Sequence, residues 1–395
     1  MRRSIGRKEA AMADADPKRR RSRAMPLPDE VALVLQGGGA LGSYQAGVYE
    51  ALADAAIEVD WVAGISIGAV NAAIIAGNPP ERRVERLRSF WNGVTAALPS
   101  FPIWQNDQAR EWLHEWSAGV VATFGVPGFF CPRPLPPMLA PPGSMEALSF
   151  YDSTPLIATL DALIDWDMLN DGPVRLSVGA VEIESGNFHY FDNRRERLDA
   201  RHIMASGALP PGLPPIEIES KLWWDGGLVS NTPLSHVVES QSADLLVFQV
   251  DLFSAADTLP KTIMDVAARE KEIRFSSRTR QISDQLVKLR KERQLIRKVL
   301  DKLPAELRGD PDVIALESCA RDHAINVVQL IYRANAWEGG ARDYEFSART
   351  MVEHWAAGQA AVAQTMTKSE LVAQNILDGK TAAFDLTNHG KGVTP

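Results

Sequence analysis

A layered α/β fold is predicted by three stretches of this chain. An apolar run over 31–36 ends in three consecutive glycines, Gly37, Gly38 and Gly39, and gives way to a helical pattern over 41–54. A second short run, Trp61–Ile65, enters Gly64-Ile65-Ser66-Ile67-Gly68 and continues into a small-residue helix, Ile67–Ala76. A third, Asp244–Leu252 (DLLVFQVDL), is apolar on both sides, as a strand covered on two faces must be. Strand, tight turn and helix, used repeatedly, is the pattern of elements stacked in α/β layers.

Each element follows from its local pattern. In the 41–54 helix, Tyr44, Val48, Ala51 and Leu52 fall on one side. The 67–76 helix is built of residues small enough to pack closely. Residues 96–150 break the rhythm with nine prolines and with large aromatics, Phe101, Trp104, Trp112, Trp116, Phe124, Phe129 and Phe130 among them, and read as an insertion. Long irregular insertions are often lids, and an apolar lid suits a greasy substrate; the alternative is core filling beneath a loop. Trp112 and Trp116, four apart, share a face if helical. Asp152-Ser153-Thr154-Pro155 reads as a helix start. Val174–Ile183 and Asn187–Phe191 read as paired strands around Ser185-Gly186. Later come a strand over His323–Arg333 and a helix over Ser347–Thr365. Residues 266–303 hold twelve Lys or Arg against five Asp or Glu. There Ile282, Leu286, Leu289, Ile296, Leu300 and Leu303 form an apolar stripe that some surface must cover.

Composition narrows the function classes. Residues 1–25 carry nine Lys or Arg against three Asp or Glu, so with a net charge of −8 for the whole chain the remainder carries −14. An acidic body argues against general nucleic-acid binding. Two cysteines, Cys131 and Cys319, make neither a disulfide framework nor a metal cluster. No apolar run approaches the ~20 residues of a membrane span, and the basic N-terminus lacks an apolar signal core. These features predict a cytoplasmic protein, with peripheral contact to a lipid surface as its membrane-linked form.

The chemistry concentrates at the glycines and Ser66. Gly64-x-Ser66-x-Gly68 between a strand and a helix has the form of a nucleophile elbow, which lifts one hydroxyl out of a tight turn. The positive end of the helix beginning at Ile67 favours negative charge developing there. The N–H groups of Gly38 and Gly39 are candidates for an oxyanion hole, where such donors contribute roughly 3–4 kcal/mol each. No histidine stands in a setting that marks it as a base. Asp225, in Trp223-Trp224-Asp225-Gly226-Gly227, is a better candidate, because the glycines permit a sharp turn presenting its carboxylate. An ordinary aspartate, with a pKa of ~3.9, is a weak base. Burial beside the tryptophans brings it nearer working pH. Asp192 and Asp251 are alternative bases, while His189, His202 and His236 read as packing or surface residues. The same glycines also match the dinucleotide fingerprint Gly37-x-Gly39-x-x-Gly42, with Asp60 as the ribose-binding acid. That reading leaves Gly64–Gly68 and the Asp225 turn unexplained.

Three ordered motifs, GGGALG at 37–42, GISIG at 64–68 and DGG at 225–227, resemble the patatin-like phospholipase family. Asn71, Ala205–Pro210 before Pro214-Pro215, and Asn231-Thr232-Pro233 support the likeness over about 31–250. The resemblance implies a three-layer α/β/α fold with a mainly parallel central sheet and a Ser–Asp dyad without histidine. On it, Ser66 is the nucleophile, Asp225 the base and the Gly37–Gly39 loop the oxyanion hole, with Gly64 and Gly68 framing the elbow and no metal or cofactor. Leu41 stands where many members have Lys or Arg, a departure that bears on anionic headgroups. The segment Glu270–Arg280 resembles the C-terminal extension of a bacterial subgroup. Three regions are therefore expected: a disordered basic leader over 1–28, a catalytic domain over 29–255, and a largely helical C-terminal extension over 256–395. The expected substrate is a lipid or other hydrophobic ester; a catalytically silent scaffold of the same fold is the remaining alternative.

Overall fold

The computed structural model describes residues 25–95, 107–255, 259–276, 288, 292–293, 295–320, 323–335, 338 and 340–387. Expectations for residues 1–24 of the basic leader, for Phe101 and Trp104, and for Ile282, Leu286 and Leu289 of the apolar stripe fall outside these. Of the rest of that stripe, Leu300 is buried and Ile296 and Leu303 are half-buried.

The centre is a nine-stranded sheet. Its strands are β1 (Glu30–Leu35), β2 (Trp61–Gly64), β5 (Arg175–Glu182), β6 (Phe188–Asp192), β7 (Ile216–Ile218), β8 (Lys221–Asp225), β9 (Leu245–Asp251), β10 (Ile325–Ile331) and β11 (Ala382–Phe384). Two short strands, β3 (Cys131–Pro132) and β4 (Tyr151–Asp152), pair separately. The order β11-β10-β9-β1-β2-β5 is parallel throughout, while β6, β7 and β8 pair antiparallel.

Alternation sorts the strand residues to two covered faces. Val31, Leu33 and Leu35 of β1, with Phe248 and Val250 of β9, enter one core; Ala32, Val34, Leu245 and Val247 enter the other. The first face is covered by α1 (Gly42–Asp54), α2 (Ile67–Ala76), α3 (Pro80–Thr95) and the helix Ala348–Met366. The second is covered by α8 (Leu234–Glu239), through Leu234, Val237 and Val238. Each fully buried leucine or valine contributes roughly 1.5–3 kcal/mol relative to exposure. The architecture is thus helix, sheet, helix. The remaining elements around the site are α4 (Asp107–Phe124), α5 (Pro155–Leu163), α6 (Trp166–Asp171), α7 (Ala200–Ser206) and α9 (Ile263–Phe275).

Three features were not read from sequence. The helix α3 was not anticipated, nor was the β7–β8 hairpin that carries Asp225. The third concerns the expected division at 255, which the central sheet crosses. β10 pairs in parallel with β9, and β11 with β10. The helix Ala348–Met366 lies so close to α1 that a Cβ on Gly47 would sit 2.0 Å from the Trp355 carbonyl oxygen. The C-terminal region is rich in helix, yet it completes the sheet and covers the helix that follows the glycine loop. At 152–155 the helix α5 begins at Pro155, and the Asp152 carboxylate accepts from the Thr154 N–H and hydroxyl.

Candidate active site

Ser66 sits between β2 and α2 with φ 55° and ψ −124°, a strained conformation for a residue bearing a side chain. The crowding around it explains its flanking glycines. A Cβ on Gly64 would lie 2.3 Å from the Gly68 carbonyl oxygen, and one on Gly68 would lie 2.3 Å from that of Leu35. The Ser66 N–H donates to the Ser206 carbonyl and hydroxyl at the end of α7, both at 3.1 Å. The elbow is therefore anchored from both sides.

Asp225 reaches Ser66 because β2 and β8 share one edge of β5. Arg175 donates its N–H to Asp60 of the β2 side, and Ile183 donates to Leu222 of the β8 side. In a strand such odd-numbered residues point to the same edge, and β6 occupies the other. β2 ends with Gly64 opposite Val178, and β8 ends with Asp225 opposite Ala180, two residues further along. Ser66, two residues past Gly64, arrives at that level. Asp225 is 2% exposed; its carboxylate accepts from the Gly227 N–H at 2.7 Å, and the Ser66 hydroxyl lies near enough to favour its charged form. Burial pushes its pKa up from 3.8 to about 7, against the opposing pull of those two donors. Trp223, on the same side of β8, is buried against Phe191.

The glycine loop lies against both. The Gly37 N–H donates to the Asn231 carbonyl at 3.3 Å, so Gly37, expected in the oxyanion hole, is committed elsewhere. Among the described residues no acceptor meets the Gly38 or Gly39 N–H groups, which remain the available pair. Gly39 has φ +55°, and a Cβ there would lie 2.2 Å from the Asp343 carbonyl oxygen. A buried polar lattice fixes the loop. The Gln36 side chain accepts from the Leu252 and Phe253 N–H groups and donates to Thr232 Oγ1 and the Phe275 carbonyl. Its backbone carbonyl accepts from Gln45, which in turn accepts from Asn71. Asn231 donates to the Gly37 and Phe275 carbonyls.

Ser66, Asp225, Asn231 and the three glycines line a cavity of about 390 Å³ whose walls are mostly apolar, among them Ile67, Val70, Phe130, Leu156, Met204 and Phe346. Of the insertion's aromatics, Phe129, Phe130 and Phe150 line it, whereas Trp112, Trp116 and Phe124 are exposed. Its lining also includes Lys271, paired with Asp343 and lying 4.9 Å from the centre of the Tyr344 ring. Lys271, Phe275, Asp343, Tyr344 and Phe346 all lie beyond residue 255 and were not anticipated as site residues. The only signal was the segment Glu270–Arg280, which contains the first two.

The rival assignments lie elsewhere. Asp192 is held below the usual carboxylate range by hydrogen bonds from Arg175, Arg194 and Ser177, despite its burial. Asp251 is buried and accepts from Gln249. Neither lines the cavity, and among the described residues no histidine does. His236 stacks on Tyr190 at 3.9 Å, His202 takes part in the capping box of α7, and His189 is half-exposed. Asp60 stands at the start of β2, where its carboxylate accepts from the Val31 N–H. That is the opposite end of the sheet from the glycines, so the ribose-binding role fails on position.

The model of the family described as patatin-like phospholipase matches residues 33–238, just over half of the chain. The chain belongs to the patatin-like phospholipase family. A second family model, described as patatin phospholipase, matches residues 273–375. Among curated relatives, lysophospholipase NTE1 of Pyricularia oryzae is 25% identical over 240 residues, covering 60% of this chain and 13% of the relative. Lysophospholipase nte1 of Aspergillus terreus is 27% identical over 243 residues, covering 58% and 12%. The chain thus spans about an eighth of these relatives' length. Among solved structures, VipD from Legionella pneumophila matches with 14% identity and a TM-score of 0.36, covering 85% of this chain and 68% of that one. No helix among the described residues is long and apolar enough to cross a membrane.

Proposed function

We propose that this patatin-family chain hydrolyses carboxylic esters of lipids or similar hydrophobic acids through Ser66 and Asp225. The observation carrying this reading is a serine on a strained elbow and a buried carboxylate, its pKa pushed up to about 7, facing one another at the wall of one apolar cavity. Asp225, ionised as pH rises through about 7, takes the Ser66 proton as Oγ attacks the ester carbonyl carbon. The tetrahedral oxyanion is held by the Gly38 and Gly39 N–H groups, with the positive end of α2 adding to the field. As the intermediate collapses, protonated Asp225 returns its proton to the departing alcohol, leaving an acyl-enzyme on Ser66. Water then gives one proton to Asp225 as it attacks the acyl carbon, and Asp225 returns that proton to Ser66 Oγ as the acid leaves. Gly37 serves by position, holding the loop to Asn231. The apolar walls receive the acyl chain, and the Lys271–Asp343 pair faces the leaving group. The protein works in the cytoplasm on substrate drawn from a lipid surface, with 29–255 carrying the dyad and the C-terminal region closing the cavity.

Ester turnover in purified variants tests this. Ser66→Ala and Asp225→Asn each reduce kcat by about a thousandfold or more while circular dichroism stays that of the wild type. His189→Ala, His202→Ala and His236→Ala retain measurable turnover. A folded histidine variant as inactive as Ser66→Ala would overturn the dyad.

A further inference from the structure

Two cavities meet at one aromatic wall. The first, about 390 Å³, contains Ser66; the second, about 270 Å³, is bounded by Val94, Val121, Phe124 and Pro155, near the end of α4 and the start of α5. Phe130 and Phe346 line both. They are 7% and 3% exposed. Phe129 braces them, its ring centre 5.4 Å from that of Phe130 and 6.2 Å from that of Phe346. The Phe130 ring also meets Tyr151 edge-on at 5.0 Å. Such tilted and edge-on contacts hold rings in fixed orientations. The Phe130 backbone is tied as well: Val126 N–H donates to its carbonyl at 2.8 Å, and its own N–H donates to the Val126 carbonyl at 3.0 Å.

We infer that Phe130 and Phe346 form the end wall of the acyl site and set the longest acyl chain the protein accepts. The second cavity is the continuation they block. This rests on the acyl-hydrolase reading, since Ser66 must bear the acyl group for the cavity to measure it. Ile67 and Val70, on the helix that Ser66 starts, line the Ser66 cavity together with Leu156 and Phe130. Each methylene that finds apolar cover strengthens binding about fourfold. Once a chain reaches the rings, further methylenes gain nothing and must fold back toward water. Removing either ring joins the cavities and restores the gain.

The test uses the full chain and p-nitrophenyl esters from butanoate to palmitate. Phe130→Ala and Phe346→Ala are expected to raise the palmitate-to-octanoate ratio of kcat/KM about tenfold. Val121→Phe, which fills the second cavity, is expected to reverse that gain in the Phe130→Ala background. If an alanine variant fails to fold, Phe130→Leu or Phe346→Leu replaces it, with an expected rise of about threefold. A ratio that stays within twofold of the wild type in the folded variants at both positions overturns the wall. So does a gain that Val121→Phe leaves intact. Turnover of butanoate by the wild type separates the two readings: with turnover and an unmoved ratio only the wall fails, whereas without turnover of any ester both fail.

Discussion

Replacing Asp225 with asparagine should stabilise the protein while inactivating it, by an amount that depends on pH. The carboxylate is buried, and its pKa rises from 3.8 to about 7 on folding. Between pH about 4 and 7 the unfolded chain releases this proton while the folded chain keeps it. Stability therefore falls as pH rises through that window and levels off above it. A gap of about three pH units corresponds to on the order of 4 kcal/mol. Asparagine retains an oxygen to accept from the Gly227 N–H and has no proton to lose. Urea unfolding of both proteins, followed by tryptophan fluorescence from pH 4 to 8, measures the difference at each pH, and groups common to the two cancel. The stability gain of Asp225→Asn should be near zero at pH 4 and grow to a few kcal/mol by pH 8. A gain that is constant with pH, or one that shrinks as pH rises, would refute the reasoning about burial. In the wild type, kcat/KM should climb through pH about 7 and level off above it, because the base must be ionised to act.

Gly39→Ala should lower kcat by about a hundredfold, since it misplaces an oxyanion donor and its Cβ would press on the Asp343 carbonyl at 2.2 Å; steady-state kinetics on a soluble ester reads this. Gln36→Leu should destabilise the fold by about 3–5 kcal/mol, as it strands the Leu252 and Phe253 N–H groups in a buried site. Denaturant midpoints at constant slope report that change, and a loss under about 1 kcal/mol would show that the lattice is not required.

What was legible in the sequence was local. The strand, three glycines and helix from Val31 onward, and the elbow around Ser66, announce themselves because turn chemistry is set by neighbours in the chain. Asp225 could be selected by its glycines, but its meeting with Ser66 depends on β2 and β8 following one another along the same edge of β5, a register set by distant pairings. That the sheet continues past residue 255 was hidden for the same reason. A run such as Ile325–Ile331 reads as a strand, yet nothing local says that it lies beside β9. Gly37 was grouped with its neighbours because a glycine's N–H looks alike in every sequence; only the Asn231 carbonyl distinguishes it. Lys271 and Phe346 reach the cavity through packing of the C-terminal region, which no short motif encodes. The insertion's aromatics were recognisable as a class, but which face the cavity was decided by the loop around Val126 and Phe130.

The central claim is that the Ser66 hydroxyl is the nucleophile, and peptide mapping by mass spectrometry after reaction with a fluorophosphonate tests it most directly. A single phosphonyl adduct on the peptide containing Ser66, formed slowly in Asp225→Asn and absent in Ser66→Ala, is the predicted result. An adduct on any other residue, or undiminished labelling of folded Ser66→Ala, would contradict it.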